Sequence, residues 1–140
     1  MLTKKDNWQI LFDEFIANNR FKPFKWGSWD CCKFSNAVIK AMTGEDLIPK
    51  ELKWKNEKEA MQSIKNYGGT MSKSIAKACK SKGVIRVENA FMQKGDLIVY
   101  KEENELVGIS DGFKVLTPSD DMVVAKQGVD ILSVWRISNV

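Results

Sequence analysis

At 140 residues the chain has the length of one domain, and its 44% hydrophobic and 29% charged residues are ordinary globular values. Five Trp and seven Phe supply a core that needs neither a disulfide nor a metal staple. The 22 basic and 18 acidic side chains leave a net charge of +4 spread thinly, which permits an anionic partner but excludes a dense polyanion-binding tract.

The opening "MLTKKDNWQILFDEF" carries acids and has no long apolar stretch, so no signal peptide is expected, and no apolar run is long enough to span a bilayer. "DNWQILFDEFIANN" places Trp8, Leu11, Phe12, Phe15 and Ile16 at helical spacing, with Asp6 or Asn7 as N-cap and Asn18-Asn19 as the end. "FKPFKWGSW" is a turn-rich aromatic connector. A second helix is expected from Cys31 to Met42, capped by Asp30 and stopped by Gly44. Its two apolar stripes are Cys31, Phe34, Val38, Ala41 and Cys32, Ser35, Ile39, Met42. "EKEAMQSIKNYGG" reads as a short helix ended by Gly68 and Gly69. "SKSIAKACKSKG" reads as another, with Ile75, Ala78 and Cys79 inward.

The period then changes. "VIRV", "DLIVYK", "ELVGIS", "FKVLT", "MVVA" and "ILSVWRI" are β-branched and aromatic runs parted by Gly, Asp, Asn and Pro. They follow one another too closely for crossover helices, so the sheet is expected to be mainly antiparallel. Helices first and strands second argue an α+β domain, one unit over residues 1–140.

The chain has three cysteines, two of them adjacent. Neighbouring helical residues point about 100° apart, so Cys31 and Cys32 are not expected to bridge, and the usage fits a reducing compartment. A thiol in the first turn of a helix feels unpaired backbone N–H groups, which favour the thiolate and can stabilise an oxyanion. Asp30 opposes this, because a neighbouring carboxylate raises a thiol pKa. The bland reading of any of these cysteines is a small buried hydrophobe.

"FKWGSWDCCKF", followed by "AVIKAMTGED", resembles the start of NlpC-type cysteine peptidases, papain-like enzymes of the cell wall. In that family an aromatic-Trp-Gly turn leads to Asp-Cys at a helix head, matched here by Trp26, Gly27, Asp30, Cys31 and Phe34. The family's Gly-Asp strand opening is matched by Gly95-Asp96, and its His-Val-Gly-Ile by Leu106, Val107, Gly108 and Ile109. A closer resemblance is to an uncharacterised phage and prophage family related to those peptidases, many of whose members also lack the strand histidine. Its landmarks run in order here as Trp26-Gly27, Asp30-Cys31, Thr43-Gly44-Glu45-Asp46, Gly68-Gly69, Ala90 with Gly95-Asp96 one residue late, and Trp135-Arg136-Ile137. The resemblance implies a papain-like NlpC core: N-terminal helices on a mainly antiparallel sheet, Cys31 as the candidate nucleophile, and Leu106 in the place of the base. Thr117 is the one polar candidate for a third group.

The chain contains no histidine. A free thiol has a pKa near 8.5, and the missing acid–base partner is worth about 10²–10⁴-fold in rate. Lys94, Lys101 or Glu105 substitute for it only with a strongly shifted pKa. Trp26 and Trp29 beside Gly27 either stack on a sugar or peptide or wedge the helix entrance, with Trp29 the better candidate for exposure. Trp54, among charges in "ELKWKNEKEA", is either partner-facing or a cover over a helix end. Asp120 and Asp121 fit a turn and a strand entry rather than a metal site. With no Gly-rich phosphate loop, zinc pattern or nucleic-acid module, neither a cofactor nor a metal is expected.

Three functions follow as expectations. The first is a phage- or prophage-encoded NlpC-like domain without a base, a structural or binding component of a tail or virion that contacts neighbouring subunits or a peptidoglycan fragment. The second is an active Cys hydrolase or acyltransferase working through Cys31. The third is a phage protein that binds and disables a host protein. All three imply synthesis in a bacterial host cytoplasm, and the first adds association with the virion.

Overall fold

The computed structural model of the chain describes residues 1–139. Its helices are α1 (Trp8–Asn19), α2 (Cys31–Thr43), α3 (Glu57–Gly68) and α4 (Met71–Ser81). Its strands are β1 (Thr3–Lys4), β2 (Ile85–Val87), β3 (Leu97–Lys101), β4 (Glu105–Ser110), β5 (Val115–Pro118), β6 (Val123–Lys126), β7 (Asp130–Arg136) and β8 (Ser138–Asn139). The chain is therefore α+β, with the expected helix-then-strand order. The helix starts have a plain chemical cause. Asp30, Asn56 and Thr70 each accept a hydrogen bond from the N–H three residues on, relieving donors that the first turn leaves unpaired. Gly44, at φ 87°, ends α2 in the left-handed conformation that glycine adopts without strain.

The main sheet runs β2-β7-β3-β4-β5-β6, and every neighbouring pair in it is antiparallel. A separate two-residue parallel ladder joins β1 to β8, which the sequence pattern did not signal. One face of the sheet carries Leu97, Val99, Val107, Ile109, Leu116 and Trp135 against Phe34, Val38, Ile39 and Met42 of α2. On the other face Ile98, Tyr100, Val115 and Val134 form a second buried cluster. Lys126 of β6 pairs with Glu102, just beyond β3, at 2.7 Å and lies over the Tyr100 ring.

Two landmarks of the sequence are tied to each other here. Asp96 is fully buried and receives Nε and Nη2 of Arg136 at 3.0 and 2.8 Å, plus the Gln93 N–H at 2.8 Å. This bidentate pair fastens the start of β3 to the end of β7.

Candidate active site

Asp30 caps α2, but its carboxylate does more than cap. Oδ1 accepts the Lys33 N–H at 2.9 Å, while Oδ2 accepts the Gly27 N–H at 2.9 Å and the Trp54 indole N–H at 2.6 Å. The side chain is 1% exposed. With both oxygens engaged by N–H donors, the buried Asp30 carboxylate fixes local geometry. Gly27 is required beside it: φ is +85°, and a Cβ would overlap the Trp54 carbonyl oxygen.

Cys31 is the first residue of α2 and is partly exposed, while Cys32 and Cys79 are buried, and all three are free thiols. α2 lies against β4 and β5. These strands pair through Ile109–Leu116 and Ser110–Val115. Gly108 lets β5 come close, since a Cβ there would meet the Val115 side chain and the Leu116 carbonyl oxygen.

The Cys31 thiol lies below its ordinary pKa. The chief cause is a hydrogen bond from the Cys32 thiol, and the backbone N–H groups of Val107 and Cys32 add to it, against burial and the Asp30 charge. Cys32 is raised well above its ordinary value by the same hydrogen bond, by burial and by the charges of Cys31 and Asp30. Of the adjacent pair, Cys31 is thus the more readily ionised. Burial pushes Cys79 up to about 12.

The position that the peptidase resemblance assigns to the base is Leu106. It directly precedes Val107 on β4, and its side chain packs into the cluster of Ile98, Tyr100, Val115 and Val134. The substitutes raised from sequence are engaged elsewhere. Lys94 pairs with Asp13 at 2.8 Å. Glu105 accepts the Ser72 N–H and hydroxyl at 2.9 and 2.8 Å, serving the first turn of α4. Lys101 is exposed and sits in register between Glu105 and Asp130. Thr117 is buried and eases the ionisation of Tyr100, whose hydroxyl otherwise lacks a well-formed hydrogen bond and is pushed by burial up to about 12.

The tryptophans are arranged differently from expectation. Trp29, expected to be the more exposed of the pair, is 3% exposed, because Phe15 and Phe34 enclose it at 6.0 and 5.3 Å and Lys22 covers its face. Trp26 is only partly buried and meets Phe24 edge-on at 5.0 Å. Trp54 does not face outward as a partner-binding aromatic. It is 6% exposed, donates to Asp30, and carries the Lys33 ammonium over its ring. The sequence missed Asp30–Trp54 because nothing local links residues on opposite sides of α2.

An open groove of about 590 Å³ lies on the far side of Trp54, lined by Gly27, Lys33, Asn36, Lys53, Lys55 and Glu59 among others. Cys31 does not line it. Among the described residues no group of three His, Cys, Asp or Glu side chains is placed to hold a metal ion, and no helix is long and apolar enough to cross a membrane.

Residues 3–137 match the family described as "Domain of unknown function (DUF6950)". The chain belongs to that family. No curated protein matches it. Within this DUF6950 domain the matched region takes in every element that builds the cysteine site, from α1 to β7.

Proposed function

We propose that this DUF6950 domain is an NlpC-like, papain-like scaffold without a catalytic base, working as a structural or binding component of a phage tail or virion. The observation that carries the non-catalytic part is the surroundings of Cys31. Cys31 heads α2 against β4, where Val107 carries no proton-transferring group and Leu106, in the place of the base, packs into the Ile98, Tyr100, Val115 and Val134 cluster. Amide cleavage needs a proton delivered to the leaving nitrogen, and general acid–base help is worth about 10²–10⁴-fold. The papain-like assignment is supported by the helix that presents the cysteine against an antiparallel sheet. The phage assignment rests on the ordered sequence landmarks. The lysine-bearing groove beside Trp54 is the surface best suited to an anionic peptide, glycan or neighbouring subunit.

The test is turnover of peptidoglycan fragments by the purified chain, with co-sedimentation on phage particles as the second arm. No turnover together with particle association supports the proposal. Turnover that disappears in Cys31→Ala sinks the non-catalytic part.

One observation favours a second reading, an acyl-transferring cysteine. Cys31 keeps a lowered pKa and sits among N–H donors at a helix head, an arrangement suited to attack on a thioester or another activated acyl group whose leaving group needs no proton. Formation of a Cys31 acyl adduct from a thioester, measured by mass, tests it. Absence of any adduct under conditions that acylate a free thiol removes it.

A further inference from the structure

We propose that the groove beside Trp54 binds a small phosphorylated ligand. This rests on the reading of that groove as a binding surface, and not on the phage or non-catalytic assignments. Four lysines line it, Lys33 from α2 and Lys50, Lys53 and Lys55 from the loop between α2 and α3. Two carboxylates, Asp46 and Glu59, line it as well, so the lining carries a net charge of +2.

Both acids are engaged elsewhere. Asp46 accepts the Asn36 amide at 2.9 Å and pairs with Lys40 at 3.6 Å. Glu59 accepts the Lys55 backbone N–H at 3.0 Å and the Asn56 amide at 3.4 Å, serving the start of α3. Among the described residues none of the four lysines forms an ion pair. The half-buried Lys33 donates to the Leu52 carbonyl at 3.0 Å, and its ammonium lies 4.4 Å from the centre of the Trp54 ring. An ammonium has three N–H donors, so two remain uncommitted. Its charge has no carboxylate beside it, and an anion in the groove balances it.

Shape and donor set select the ligand class. A volume of about 590 Å³ falls in the small-molecule range of roughly 300–1,000 Å³. The neutral donors of the lining are spent: the Gly27 N–H and the Trp54 indole go to Asp30, and the Asn36 amide goes to Asp46. Recognition is left to the ammonium groups. They are compact point charges, which suit the tetrahedral oxygens of a phosphate, and no arginine fork matched to a carboxylate lines the groove. One phosphate monoester carries about −1.5 to −2 at neutral pH, so a single group matches the lining where two carboxylates would be needed.

The experiment is an amide NMR titration of the full chain with inorganic pyrophosphate at low ionic strength, repeated with citrate and with a hexaglutamate peptide. Saturable shifts are expected at the Lys33, Lys53 and Lys55 amides and at the Trp54 indole N–H, with binding weakened at about 0.15 M salt. Lys33→Met, which keeps an apolar stem on Trp54, combined with Lys53→Gln should weaken pyrophosphate binding at least about tenfold, the scale of a lost hydrogen bond to a charged group. Lys73→Gln, on α4 and outside the groove, should leave it unchanged. A thermal melt checks that each variant folds, and the shift map of the parent chain needs no variant. The proposal is overturned by the absence of saturable shifts, by shifts that map away from the groove, or by an unchanged affinity in the double variant. Citrate binding as tightly as pyrophosphate overturns the phosphate assignment, and tighter hexaglutamate binding makes the groove a dock for an acidic protein instead. Lost pyrophosphate binding with particle association intact strikes this inference alone, and the reverse result strikes the virion role alone.

Discussion

Removing the Asp30 carboxylate gives two effects of opposite sign, and that pairing makes it the most informative substitution. Three N–H groups converge on the side chain: the Lys33 amide, the Gly27 amide and the Trp54 indole. Losing an N-cap costs about 1 kcal/mol, and each buried donor left without a partner costs about 1–3 kcal/mol. Asp30→Ala should therefore destabilise the fold by about 4 kcal/mol, a large share of the ordinary 5–15 kcal/mol. Asp30→Asn keeps one acceptor oxygen for the cap but turns an NH₂ toward the other two donors, so about 2 kcal/mol is expected. Urea unfolding at neutral pH reads both. A double-mutant cycle with Trp54→Phe should show a coupling of about 1.5–3 kcal/mol, the worth of a hydrogen bond to a charged group. The thiol moves the other way. The Asp30 charge raises the Cys31 pKa, so Asp30→Asn should lower the pH midpoint of Cys31 alkylation while it weakens the fold. A loss below about 1 kcal/mol in Asp30→Ala, or a midpoint that rises in Asp30→Asn, refutes the reasoning.

Further predictions concern the same region and the sheet. In the parent chain, iodoacetamide should label Cys31 with a midpoint below the ordinary thiol value of 9.0 and leave Cys32 and Cys79 intact. Cys32→Ala removes the chief lowering influence and should move that midpoint up, as peptide mass mapping across pH will show. Arg136→Leu strands the buried Asp96 carboxylate and should destabilise by about 3–5 kcal/mol in urea, with Arg136→Lys recovering only part because it cannot bind both oxygens. Tyr100 and Cys79 are acids held neutral by burial, from ordinary values of 10.0 and 9.0 up to about 12. In that interval the unfolded chain binds fewer protons than the folded one, so stability should fall as pH rises from about 9 toward 12. Tyr100→Phe should flatten this decline and be neutral or mildly stabilising at pH 7, since the hydroxyl it removes is buried without a good partner.

The helices and most strands were legible because their signals are local. Phe34, Val38, Ile39 and Met42 recur at helical spacing, and Asp30 and Gly44 mark the two ends of α2 by their chemistry. The strands of the sheet announce themselves as β-branched and aromatic runs and by the turns between them. What was not legible depends on contacts across the chain. Trp29 and Trp54 sit among polar and charged neighbours, which left burial and exposure both open, because exposure is decided by what folds over a side chain. Trp54 owes its burial to α2 and to an acceptor 24 positions away. The β1–β8 ladder joins two-residue strands, too short for any periodicity to register. The cluster that buries Tyr100 draws on β3, β5 and β7 together rather than on any one strand.

The sequence landmarks gain a physical meaning from these contacts. Gly27 and Asp30 of the Trp-Gly…Asp-Cys run form one knot with Trp54. Gly95-Asp96 and Trp135-Arg136 form another through the Asp96–Arg136 pair. In the Thr-Gly-Glu-Asp run, Thr43 bonds the Ile39 carbonyl and Asp46 takes the Asn36 amide at 2.9 Å, which holds the loop after α2. Gly68 leaves room for Ser74 where α3 turns into α4. Each landmark thus has a structural task that persists whether or not Cys31 performs chemistry. A chain that loses a catalytic base gives up none of these knots, so their presence is no argument for catalysis. Cys31 packs against the main core cluster from the head of α2, so its own reactivity, not its presence, is the discriminating property. It is partly exposed, and its pKa lies below the ordinary thiol value. Whatever the domain binds or modifies, the reactivity of this one thiol separates a packed remnant from a site in use.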